Sequence, residues 1–147
     1  MAGIHRAVSA SSRFLYLADK SALARSHLEV VATVLGPLFD AAEVVTCPIV
    51  DLELLFSARN EAEHSALRAE LAVLRSFPID ERITDRAVEV QGLLAATGQH
   101  RVPIADLLIS AVAELNDLVV LHYDRDFDTI AAATGQRVEW VAPRGSL

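Results

Sequence analysis

Phe14-Leu15-Tyr16-Leu17-Ala18-Asp19 is a short, unbroken apolar run that ends on a carboxylate. Successive apolar residues without alternation suit a strand buried on both faces, as in a parallel sheet. Val44-Val45-Thr46-Cys47 and Leu118-Val119-Val120-Leu121 repeat the pattern, and Val138-Glu139-Trp140-Val141 is a weaker fourth, suited to an edge. Helical periodicity fills the intervals. Leu28, Val31, Ala32 and Leu35 keep one apolar stripe, which Gly36-Pro37 is expected to break or kink. Pro48 fits the first position of a helix carrying Ile49, Leu52, Leu55 and Phe56 on one side. Asn60 and Glu63 resemble a capping box for a helix over 62–75, with Leu67, Leu71 and Leu74 on its face. Thr84 is placed to cap a helix bearing Ala87, Val90 and Leu94, with Gly98 as its stop. Pro103 opens another, with Ala105, Leu108, Ile109 and Val112 inward, and a short helix over 126–133 ends at Gly135. Strands alternating with helices specify an α/β fold: three layers, α/β/α, around a mostly parallel sheet of four to five strands.

The chain has 147 residues, with 52% hydrophobic and 22% charged side chains. That composition excludes intrinsic disorder and suits one core-forming domain over 14–147, preceded by a short polar tail at 1–13. The net charge is −7, which argues against a general electrostatic DNA binder. The lone cysteine, Cys47, has no internal disulfide partner and reads as a small core filler in a reducing compartment. No apolar stretch reaches the roughly 18 residues of a membrane span, and the N-terminal segment lacks the apolar core of a signal peptide. The expectation is a cytoplasmic protein.

In open α/β sheets, ligands bind beyond the carboxyl ends of the strands. Asp19 follows the first strand there, and Asp124 lies just past the third, in His122-Tyr123-Asp124-Arg125-Asp126-Phe127-Asp128. Asp106 sits in the first turn of the Pro103 helix, and Glu53 stands among apolar neighbours in Leu52-Glu53-Leu54-Leu55-Phe56. Each acid has a structural reading as well. Asp19 and Asp126 suit helix caps, Asp106 is favoured by a helix dipole, Asp128 suits a solvent-facing position, and Glu53 fits a narrow exposed strip. Converging carboxylates need a compensating cation, and oxygen-only ligands suit Mg²⁺ or Mn²⁺.

Other motifs fail on spacing. Asp124, Asp126 and Asp128 imitate the start of an EF-hand loop, but its sixth position is Thr129 and its twelfth Gly135. No GxxxxGK[ST], GxGxxG, HExxH or paired CxxC occurs, and the histidines at 5, 27, 64, 100 and 122 show no zinc spacing. Trp140 reads as packing.

Four segments carry a family resemblance. Leu17-Ala18-Asp19-Lys20-Ser21-Ala22 and Pro48-Ile49-Val50-Asp51-Leu52-Glu53-Leu54-Leu55 resemble the first two motifs of PIN-domain ribonucleases. Val102-Pro103-Ile104-Ala105-Asp106-Leu107-Leu108-Ile109-Ser110-Ala111 resembles the third, and Asp124-Arg125-Asp126-Phe127-Asp128 the fourth. The likeness runs from about Phe14 to Val141 and is greatest to the VapC toxins of bacterial toxin–antitoxin pairs. It implies catalytic roles for Asp19, Glu53, Asp106 and Asp124, with Asp126 as a further acid. A divalent ion, Mg²⁺ or Mn²⁺, would be held by Asp19, Asp106, Asp124 and Asp126. Ser21, Arg125 and Arg59 would support the site, and Lys20, Arg25, Arg59 and Arg101 would meet RNA. The resemblance further implies endoribonuclease activity, a homodimer, and neutralisation by a VapB-type antitoxin. Two features depart from the family pattern: His122 stands where Thr or Ser is frequent, and thirteen residues precede the first strand. Two other readings compete, a catalytically silent PIN-like binding module and an α/β phosphotransfer domain. The first tends to lose acids that are kept here; the second needs an acidic pair or DxD at the first strand, where Asp19-Lys20-Ser21 stands.

Overall fold

A computed structural model describes residues 14–147; the expected tail at 1–13 lies outside them. Strands β1 (Tyr16–Ala18), β2 (Val44–Val45), β3 (Val119–His122) and β4 (Val138–Trp140) form one sheet. Its order is β2-β1-β3-β4, and every pairing is parallel. The fourth run is an edge strand, as its weaker pattern suggested. The helices are α1 (Lys20–Leu23), α2 (Glu29–Asp40), α3 (Pro48–Leu55), α4 (Glu61–Leu71), α5 (Glu81–Ala95), α6 (Ile104–Leu115) and α7 (Arg125–Thr134). None is long and apolar enough to cross a membrane.

Register explains the continuous apolar runs. Leu17 pairs with Val45 and Val120, and these three enter the larger core with Val50, Val90, Leu94, Val112 and Phe127. Tyr16 pairs with Val119, and both point to the opposite face, where Val31 and Leu35 of α2 cover them. Both sheet faces are dry, so alternation is absent from the sequence. Helices pack on both sides, which makes three layers.

Several local expectations needed correction. Helix α2 does not break at Gly36-Pro37 but runs on to Asp40. Pro37 removes one backbone donor, while Val31 and Leu35 stay fully packed and the helix ends with Ala41 N–H donating to the Pro37 carbonyl at 3.0 Å. Helix α3 begins at Pro48 as expected, but its inward residue is Val50, with Ile49 and Leu54 beside the core. Leu52 and Phe56 are 62% and 91% exposed. Helix α4 stops at Leu71 because the chain must extend at 75–77, where Thr46 N–H donates to the Arg75 carbonyl and Phe77 N–H to that of Thr46. Asn60 caps it, but the Glu63 carboxylate turns to the Arg59 N–H instead of closing the box. Helix α5 starts a turn early, capped by Asp80, whose carboxylate accepts from Ile83 N–H; Thr84 is inside the helix. Helix α6 buries Asp106, Leu107, Ile109, Ser110, Ala111, Val112 and Ala113, nearly its whole circumference. Gly135 ends α7 with φ of 77°, a left-handed residue that glycine adopts without strain.

Candidate metal centre

The carboxyl ends of β1 and β3 lie side by side, and the acids follow from that. Asp19 leaves β1 with its N–H bonded to the Leu121 carbonyl at 2.8 Å. It caps α1, its Oδ2 accepting from Ser21 N–H at 2.9 Å. Asp124 leaves β3 and caps α7, its Oδ1 accepting from Asp126 N–H at 2.9 Å. The cap expected of Asp126 therefore belongs to Asp124, and Asp126 occupies the first turn. Asp106 comes from the first turn of α6, which packs against both β3 and α7.

These placements bring Asp106, Asp124 and Asp126 together. Each offers a carboxylate oxygen, and the three oxygens lie within 4.8 Å of one another. Asp106 is 6% exposed and Asp19 4%. Asp19 Oδ1 and Asp106 Oδ2 are buried without a hydrogen-bond partner. Burial pushes the Asp106 carboxyl up to about 8, and the charges of Asp19, Asp124, Asp126 and Glu53 push in the same direction. Glu53 is half-buried; burial raises its pKa, Asp19 adds to this, and Lys20 opposes it. Asp126 is raised by burial and then by Asp124, against Arg125. Crowded, partly desolvated carboxylates with unused buried oxygens match a divalent cation bound through oxygen. The residues therefore fit the ion that their chemistry implies.

The supporting positions separate. Ser21 links the two strand ends: its N–H serves Asp19, and its hydroxyl accepts from Tyr123 N–H at 2.8 Å. Arg125 is exposed at the start of α7, and its charge acts on Asp126. Arg59 is engaged elsewhere, paired with Glu63 at 2.6 Å on an exposed surface. Arg25 is also occupied, donating to the Ser21 carbonyl and lying over the Tyr123 ring.

His122 carries a role that residue spacing did not reveal. Its side chain is fully buried, between Phe127 and Trp140. Nδ1 accepts from Asp124 N–H at 3.1 Å, so the ring proton resides on Nε2. Burial lowers its pKa and keeps the ring neutral. Nε2 lies 3.8 Å from Asp128 Oδ1, and Asp128 Oδ2 accepts from the Trp140 indole at 2.9 Å. Asp128 is thus a structural acceptor and does more than face solvent. The only sequence signal for this arrangement was His122 itself, a polar residue closing an apolar strand.

Residues 11–133 match the PIN domain family. The chain is 42% identical over 132 residues to Ribonuclease VapC51 of Mycobacterium tuberculosis, spanning 90% of this chain and 96% of that protein. It is 43% identical over 133 residues to Ribonuclease VapC21 of the same species, spanning 89% and 96%. Its fold is similar to that of a chain in DNA-bound VapBC from Salmonella typhimurium. The TM-score is 0.72 at 15% identity, covering 88% of this chain and 99% of that one.

Proposed function

Because this chain belongs to the PIN domain family, we propose that it is a VapC-type endoribonuclease toxin whose site uses Mg²⁺, with Mn²⁺ as a substitute. One observation carries this reading: carboxylates from α6 and the α7 N-terminus converge within 4.8 Å, beside buried oxygens that have no partner. The 42% identity to a named ribonuclease over nearly the whole chain supports the RNA substrate.

Asp19, Asp106, Asp124 and Asp126 would hold the ion, and Glu53 would complete the acidic wall. The bound ion supplies Lewis-acid stabilisation of charge on the scissile phosphate and makes water more acidic. The chain's own residues do the rest. Ser21 and His122 hold the first and fourth acids through backbone N–H groups, so the carboxylates are oriented before substrate arrives. The dry floor beneath Asp106, formed by α6 and β3, strengthens attraction to a cation. No side-chain nucleophile is required.

Neutralisation by a VapB-type antitoxin follows from the same reading, as does a cytoplasmic site of action, where the RNA is. A homodimer is supported by exposed apolar side chains, among them Leu52 and Phe56 of α3 and Val30 and Val34 of α2. The test is cleavage of a mixed RNA substrate by the purified chain. Cleavage is expected with Mg²⁺ or Mn²⁺, and none with excess EDTA or in Asp106→Asn. Cleavage that persists after full chelation overturns the metal-dependent reading.

A further inference from the structure

A groove of about 560 Å³ runs beside the acidic cluster, between the loop over 98–103, the start of α7 and the segment after β4. Arg101, Arg125 and Arg144 line it from three separate parts of the chain, together with Asp126. Most other described arginines are already engaged. Arg59 pairs with Glu63, Arg86 with Glu114 and Glu89, and Arg137 with Asp117, while Arg25 binds the Ser21 carbonyl. Among the described residues, none of the three groove arginines forms an ion pair. In a chain of net charge −7, carboxylates to pair with them are abundant. Asp126 and Asp128 on the groove wall offset part of this positive charge, but among the described residues neither forms an ion pair with the three arginines, so the guanidinium groups stay open to an anionic ligand.

We propose that this groove is the track for the RNA strand on one side of the scissile bond, with Arg101 and Arg144 binding backbone phosphates. The inference rests on the ribonuclease reading and adds to it a direction for the substrate. Asp126 belongs both to the acidic cluster and to the groove wall. A strand whose scissile phosphate sits at the acids therefore has its neighbouring phosphates within the groove. Guanidinium groups suit this role, since their planar fork binds a phosphate through two parallel hydrogen bonds. Arg144 lies over the Trp140 ring, 5.9 Å from its centroid, which limits its freedom before RNA binds. Asp128 also lines the groove but is held by the Trp140 indole.

The experiment compares the full chain with Arg101→Gln/Arg144→Gln, leaving Arg125 in place. Binding of a labelled 20-nucleotide single-stranded RNA is measured by anisotropy across 50–200 mM salt, in an Asp106→Asn background that cannot cleave. Losing two phosphate contacts should lower the salt slope of log K by about 1.4. In the active background KM should rise about tenfold with kcat unchanged, and Arg101→Lys/Arg144→Lys should restore most of the slope. An unchanged slope and KM in a parent that cleaves RNA overturns the track while leaving the ribonuclease reading intact. A parent that cleaves no RNA fails the ribonuclease reading first, and the binding slope still decides the groove. A glutamine variant that binds RNA normally but has lost binding of polyglutamate assigns the groove to an acidic peptide and also overturns the proposal.

Discussion

Asp106→Asn in the metal-free protein should abolish the pH dependence that this residue imposes on stability. The folded state holds the Asp106 carboxyl at about 8, against an ordinary value of 3.8. Between those values the folded protein binds more protons than the unfolded chain, so stability falls as pH rises. Each pH unit within that window costs about 1.4 kcal/mol. From pH 4 to pH 7 the accumulated loss is on the order of 4 kcal/mol, a large share of the roughly 5–15 kcal/mol that keeps a domain folded. Asparagine keeps the shape and removes the titration. Its buried amide adds a cost of about 1–3 kcal/mol if unsatisfied, but that cost does not vary with pH. The informative quantity is therefore the gap between parent and variant as pH changes. Urea unfolding in EDTA from pH 4.5 to 8 should show the variant gaining on the parent throughout, by the equivalent of roughly 10 °C in Tm. Mg²⁺ or Mn²⁺ should then raise the parent's Tm much more than the variant's. Parallel stability curves for the two proteins across that range would refute the assignment of Asp106 as a buried, charge-crowded acid.

Glu53→Gln should lose most RNA cleavage yet melt at the same or a higher temperature without metal, since Glu53 is raised by burial and by Asp19; parental cleavage rates would remove it from the site. His122→Leu removes the acceptor for Asp124 N–H and should weaken Mn²⁺ affinity at least tenfold. His122→Asn, with an oxygen near the position of Nδ1, should recover much of that affinity in calorimetric titration, and equal affinities in both variants would show that the acceptor has no such role. Arg86→Ala breaks the paired contacts to Glu114 that join α5 to α6, at 2.8 and 2.9 Å. It should cost about 1–2 kcal/mol in urea unfolding without changing cleavage; a loss of cleavage at unchanged stability would contradict that separation. Sedimentation at micromolar concentration should give twice the 15.9 kDa mass of one chain, and a monomer with and without antitoxin would exclude the dimer.

The sequence by itself determined the elements whose signals are local. The four strands lie where short β-branched and apolar runs predicted them, Pro48 opens α3, Gly135 closes α7, and Asp19 and Asp124 fall just beyond the strand ends. Each depends on residues close in the chain: a fixed φ, a missing Cβ, a run without polar interruption. Tertiary structure decided what depends on which surfaces meet. A two-turn helix such as α3 carries too few residues to declare its inward face, so Val50 is buried and Phe56 exposed because of where α1, α4 and α6 pack against it. Helix α2 continues past Pro37 because Val31, Leu35 and Leu38 pack on the core on both sides of the one missing donor. Spacing made several acids candidates, but only the crossing of α6 with the α7 N-terminus brings Asp106 to Asp124 and Asp126. The upward shift of Asp106 has the same origin, because desolvation and the fields of four other carboxylates exist only once distant segments have been folded around one point.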